Sequence, residues 1–105
     1  MDLRRLRYFV AVAEERSVGR AAVRLRMAQP PLSVQIRKLE SEVGTPLFRR
    51  GTRGMELTAA GHALLSRARE ALALTAEGFE AARAVAAGRR GRLSVGYMFV
   101  LAHAV

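Results

Sequence analysis

A mainly α-helical fold with one short hairpin is the expectation, and three observations support it. Apolar residues recur at steps of three and four along most of the chain. A single segment, LFRRGTRGMELT, breaks that rhythm around two glycines. No proline interrupts the stretch from Thr58 to Ala87, which keeps the helical period throughout.

The first helix is placed at residues 2–15. Leu6, Phe9, Val10 and Ala13 share one stripe, Leu3 extends it, and Asp2 suits the cap or first turn. Arg4, Arg5 and Arg7 read as solvated surface, and Tyr8 as a residue at the core's edge. A second helix opens at Ser17, whose side-chain oxygen can take an orphan backbone N–H. Its inward face is Val18, Ala21, Ala22 and Leu25, and the two alanines are small enough to let another helix cross closely. The pattern stops at Met27–Ala28.

Gln29–Pro30–Pro31 begins the third helix, since proline's missing N–H costs nothing in a first turn. Leu32, Ile36, Leu39 and Val43 form its apolar stripe, and Gly44 supplies the stop. At 100° per residue, Pro30, Val34, Arg37, Lys38 and Ser41 face the opposite way. A short helix, a turn and a second helix with basic and small polar residues outward is the helix-turn-helix pattern. Its second helix enters the major groove of DNA.

After Thr45–Pro46, Leu47–Phe48 and Met55, Leu57 read as short apolar strand ends flanking Arg49 to Gly54, with a four-residue tip that holds two glycines. Gly51 and Gly54 would allow the turn at positive φ. The result is a hairpin wing with Arg50 on it and Arg53 at its tip, where a lone arginine can enter the minor groove over A·T-rich steps. The last helix, capped by Thr58, carries Leu65, Ala68, Leu72, Thr75, Phe79, Ala82 and Ala86 as an a/d-type seam. A helix of about thirty residues spans about 45 Å, more than a small core can cover. The seam is therefore assigned to dimerisation with a second copy. Gly88 to Gly91 reads as a basic hinge, and Arg92 to Val105 as the opening strand of a further domain that is missing here. These readings divide the chain into a DNA-binding domain at 1–57, a linker helix at 58–88, and a hinge with a first strand at 89–105.

Composition narrows the partners. In 105 residues, eighteen Lys and Arg against nine Asp and Glu leave a net charge of +9, which favours a polyanion, nucleic acid before membrane. Arginine supplies almost all of it, Lys38 being the single lysine. With no cysteine there is no disulfide framework, and neither a signal peptide nor a membrane span is visible, so a cytoplasmic protein is expected. His62 and His103 have no partners at metal-ligand spacing, Ser17, Ser33 and Ser66 have no base placed by a motif, and Glu14–Glu15 and Glu40/Glu42 read as helix surface rather than an acid/base pair. No catalytic site, metal or cofactor is expected.

The run from Arg7 to Arg69 resembles the N-terminal region of LysR-type transcriptional regulators of bacteria. The resemblance rests on S-x-x-x-A-A, A-Q-P-P-L-S, L-E-x-E-x-G-x-x-L-F and L-T-x-x-G at these spacings, and covers residues 1 to about 90. A-Q-P-P-L-S and E-L-T-A-A-G-H-A are similar to the versions in members controlling aromatic-compound catabolism. The resemblance implies a winged helix-turn-helix with a two-stranded wing, then a long linker helix pairing antiparallel in a dimer on a partly palindromic promoter site. It also implies an effector-binding domain next in the chain, so a small-molecule inducer is a partner only where that domain is present. Its DNA contacts fall on Gln29, Pro30, Pro31, Ser33, position 34 and Arg53, and the outward cations Arg37, Lys38 and Arg50 join them. Val34 departs from the arginine or other polar residue common there, as Ala28 does from a capping Ser or Thr. Two uses of Val34 stay open, apolar contact with a thymine methyl or contact with sugar alone, while Gln29 suits adenine N6 and N7. Two further readings are a modulator that heterodimerises with full-length relatives and a nonspecific architectural DNA binder.

Overall fold

The computed structural model of the protein describes residues 2–91, with side chains to residue 88. The strand expected over residues 92–105, and His103 with it, lies outside the described residues. The elements run α1 (Leu3–Glu15), α2 (Val18–Leu25), α3 (Gln29–Val43), β1 (Phe48–Gly51), β2 (Gly54–Leu57) and α4 (Ala59–Gly91).

Local chemistry sets most of these boundaries. The Asp2 carboxylate accepts from Arg5 N at 2.8 Å, and Ser17 Oγ accepts from Arg20 N at 3.1 Å, so α1 and α2 open on side-chain caps. Helix α3 opens without one: Ala28 offers no acceptor, and prolines occupy the first turn instead. Gly44 closes α3 at φ 93°, while α1 and α2 end on left-handed Arg16 and Arg26, both at φ 57°. A left-handed arginine costs about 1–2 kcal/mol. Two backbone bonds accompany it at the α2–α3 turn, Arg26 N to Val23 O at 3.1 Å and Met27 N to Ala22 O at 3.0 Å.

Helices α1, α2 and α3 enclose one core with the base of the wing. Phe9, Val12, Leu32, Leu39 and Leu47 are its largest fully buried side chains, each contributing about 1.5–3 kcal/mol. The Phe9 and Phe48 rings meet at 5.3 Å between centroids, tilted by 50°, which fastens α1 to β1. Ala21 and Ala22 are buried where α2 is crossed, as their size predicts. Val43, assigned to the α3 stripe, is 47% exposed, because the last turn of α3 runs past the core.

The wing is an antiparallel pair with Phe48 opposite Leu57, Arg49 opposite Glu56, Arg50 opposite Met55 and Gly51 opposite Gly54. Arg49 and Arg50 therefore lie within strand, and the expected four-residue tip is the turn Gly51–Gly54. Of the two glycines only Gly54 takes a positive φ, 99°. A Cβ there would also strike the carbonyl oxygen of Arg16, the group that accepts from Met55 N at 3.0 Å.

Thr58 begins α4 as expected: its Oγ1 accepts from Gly61 N at 3.1 Å and donates to Pro46 O at 2.8 Å. The helix passes through Gly88 to Gly91, where a hinge was expected. A glycine costs a helix about 1 kcal/mol, and the preceding alanine-rich turns supply enough propensity to absorb it.

The chain divides into two units between Leu72 and Ala73. Within the first, Ala68 is 1% exposed and Leu64, Leu65 and Leu72 pack on the core. The assignment of Ala68 to a dimer seam is therefore corrected: its own chain already covers it. Leu65 and Leu72 are partly covered in the same way. In the second unit Leu74 is 67% and Phe79 63% exposed, and Ala82 and Ala86 are exposed beside them.

Candidate nucleic-acid interface

The outward face of α3 stays open. Gln29, Pro30, Pro31, Val34, Arg37 and Lys38 are exposed and Ser33 is half-buried. The inward stripe of Leu32, Ile36 and Leu39 is buried and fixes the rotation of the helix, which leaves these residues facing out. Gln29 lies beside the first turn of α2, where a Cβ on Gly19 would sit 3.6 Å from its Oε1.

Pairing sorts the cations into two groups. Arg24 reaches Glu14 at 2.9 Å and Glu15 at 3.3 Å, Arg69 reaches Glu14 at 2.9 Å, and Arg49 reaches Glu56 at 3.5 Å. Arg5 donates through Nε to Gln35 Oε1 at 2.9 Å and through Nη1 to Glu42 Oε1 at 2.7 Å. Arg37, Lys38, Arg50 and Arg53, by contrast, make no ion pair among the described residues, and all four are exposed. Arg4, Arg7 and Arg26 are exposed and unpaired as well, but lie off α3 and the wing.

Strand pleating separates the two wing arginines. Arg49 shares a face with Glu56 and lines a crevice that His62 also borders. Arg50, one residue on, points to the other face, where it lines a groove of about 210 Å³ with Ser33, Arg37 and Glu40 of α3. On the far side of Arg37 an open depression of about 450 Å³ runs along α3 past Val34, Lys38 and Ser41. Arg53 stands exposed at the centre of the wing's turn with Thr52. The nine residues assigned to DNA from sequence thus lie on α3 and the wing, with Arg37 bordering both hollows.

Two supporting residues escaped the sequence reading. Glu40, read as helix surface, accepts from Leu47 N at 2.8 Å and Phe48 N at 3.3 Å, both through Oε2, and so ties the start of the wing to α3. Glu14, also read as surface, joins α1 to α2 and α4. The side-chain bonds from Arg24 and then Arg69 hold its carboxyl below the usual glutamate value. Neither role has a local signal, because the partners lie seven or more positions along the chain, beyond the reach of helical spacing.

This arrangement of three helices, hairpin and long fourth helix agrees with known relatives. The model of the bacterial regulatory helix-turn-helix proteins of the lysR family matches residues 3–62. The chain belongs to the LysR family. It is 59% identical over 96 residues to the HTH-type transcriptional regulator BudR of Klebsiella aerogenes, covering 91% of this chain and 67% of that one. It is 51% identical over 98 residues to the HTH-type transcriptional regulator AlsR of Bacillus subtilis (strain 168), covering 93% of this chain and 32% of AlsR. Among solved structures it is similar to the BenM_DBD/catB site 1 DNA complex, with 44% identity, a TM-score of 0.80, and coverage of 84% of this chain and 99% of that one. Full-length CbnR complexed with its target DNA gives 46% identity and a TM-score of 0.74, over 82% of this chain and 30% of CbnR. The LysR-family chain described here therefore spans about two thirds of one of these regulators and about a third of others.

Among its described residues no helix is long and apolar enough to cross a membrane, and no group of His, Cys, Asp or Glu could hold a metal ion.

Proposed function

We propose that this chain is a double-stranded DNA-binding module of a transcription regulator, acting in the cytoplasm and without a catalytic step. The observation that carries the reading is the set of unpaired cations, Arg37, Lys38, Arg50 and Arg53, gathered on an open α3 face and the adjoining wing. Solved DNA complexes of relatives at 44–46% identity support it. In this reading the N-terminal half of α3, Gln29 to Val34, lies against base edges in the major groove. Arg37, Lys38 and Arg50 neutralise phosphates on either side, and Arg53 enters the adjacent minor groove. Phosphate contacts fix register, and base contacts select sequence.

Two copies bind a partly palindromic site, paired through the exposed part of α4. Phe79, Ala82 and Ala86 supply the contact, with Thr75, Leu72 and Leu65 toward its start. Phe79→Glu is expected to convert the dimer to monomer in sedimentation and to weaken operator binding. A dimer unaffected by that change would remove α4 from the interface.

The test of the main reading is selection from a random duplex library, followed by binding across a salt series. A dimer neutralising about eight phosphates gives a slope of log K against log salt of about −7. Enrichment of a two-fold related motif is expected. Equal affinity for selected and competitor DNA would instead indicate an architectural binder, and no salt-dependent binding would end the proposal.

A further inference from the structure

Val34 is the one residue of the open α3 face whose exposure the fold does not explain. It is 38% exposed, while Leu32, Ile36 and Leu39 on the same helix are buried. A β-branched residue on an exposed helical surface gains little from packing and is a weaker helix former than lysine, arginine or glutamine. Folding stability therefore gives no reason for valine here.

Its surroundings do give one. One turn before it stand Pro30 and Pro31, both exposed and neither with a side-chain donor or acceptor. One turn after it stand Arg37 and Lys38, and all but the prolines border the open depression along α3. Arg5, which reaches the same depression, is engaged with Gln35 and Glu42. The result is an apolar spot in the N-terminal half of α3, flanked toward the C-terminus by cations. Taking the proposed DNA-binding mode as given, that half of the helix meets the base edges and the cations meet the backbone. Along the major-groove edge of the four bases, the feature that an apolar side chain can complement is the C5-methyl group of thymine. Guanine and adenine carry no methyl on that edge, and cytosine has only a C5–H where thymine has the methyl, so none of the three gives valine an equivalent apolar contact.

We infer that Val34 is a specificity-determining residue that selects thymine through its C5-methyl group, at one position in each half-site. The inference rests on the DNA-binding reading of α3.

The test uses the full 105-residue chain and a duplex selected from a random library. Each thymine is replaced singly by deoxyuridine, which removes the methyl group and keeps base pairing, and affinity is read by fluorescence anisotropy. At one thymine per half-site, deoxyuridine is expected to weaken binding about fourfold, the worth of one buried methyl-sized group. Val34→Ala, which the exposed site tolerates and whose fold circular dichroism checks, is expected to lose a similar factor and to become indifferent to deoxyuridine at that position. The inference is overturned if no thymine responds, or if the response persists undiminished in Val34→Ala because another residue reads the methyl. A chain that binds duplex but selects no sequence overturns the base-reading role of α3 on which the inference rests, and a chain that binds no duplex overturns the DNA-binding reading itself, each an outcome distinct from these.

Discussion

Glu40→Ala removes the acceptor that holds the wing to α3, and its cost follows from two bonds. Glu40 Oε2 takes Leu47 N at 2.8 Å and Phe48 N at 3.3 Å in a part-buried setting. The shorter is a charge-assisted bond of good length, worth about 1.5–3 kcal/mol. The longer is weak, and water can reach part of the site. A net loss of about 2 kcal/mol is expected, which lowers the melting temperature of a small domain by about 8–16 °C. Glu40→Gln keeps an oxygen in place and removes only the charge, so it should cost about half as much. Thermal and urea unfolding followed by circular dichroism separate the two. Wild-type stability in Glu40→Ala, within about 0.5 kcal/mol, would refute this account of the wing's attachment. A cost for Glu40→Gln equal to that of Glu40→Ala would show that hydrogen-bond acceptance is not what the residue provides.

Three more expectations follow from named contacts. Gly61→Ala should destabilise by about 1–2 kcal/mol: a Cβ would strike the Leu47 carbonyl and come within 2.8 Å of Leu57 Cδ2, outweighing a helix-propensity gain of about 1 kcal/mol. Urea unfolding reads it, and a gain in stability would show that α4 can shift away from β1. The Glu14 carboxyl sits below its usual value through Arg24 and then Arg69, so its contribution is present above the ordinary glutamate range and disappears as pH falls through the lowered value. The stability difference between wild type and Glu14→Gln should therefore shrink from pH 7 to pH 3, and a constant difference would deny the linkage. Arg53→Ala should weaken binding chiefly on sites with A·T-rich flanks, and equal loss on every sequence would remove the minor-groove role.

Features governed by neighbours in sequence were legible in advance. The three- and four-residue steps gave α1 to α3 most of their inward faces, although Ala11 and Val12 of α1 are buried outside the expected stripe and Leu3, placed on it, is 43% exposed. Asp2, Ser17, Gly44 and Thr58 marked ends that side-chain or backbone bonds close. Arg26 did not announce the α2–α3 turn, since a left-handed arginine has no sequence signature. Long-range geometry was illegible for the same reason. Glu40 finds its partners seven and eight positions away across a chain reversal, and Glu14 meets Arg69 from the other end of the first unit. Ala68 shows the ambiguity of a seam: the spacing that suits a second helix also suits the chain's own core, and here the core holds it. The open face of α3 was foreseeable because burial of Leu32, Ile36 and Leu39 leaves one rotation of the helix. The separation of Arg49 from Arg50 needed the strand register, which the wing's short sequence leaves undetermined.

The central claim is that duplex DNA lies against the outward side of α3 and the adjoining wing. Amide and methyl resonances of the chain, followed during titration with a selected duplex, address it directly. The account predicts that shifts concentrate at Gln29 to Ser41, with the Val34 methyls among the largest, and at Arg50 to Gly54. Shifts confined to α4, with α3 and the wing unmoved, would contradict it.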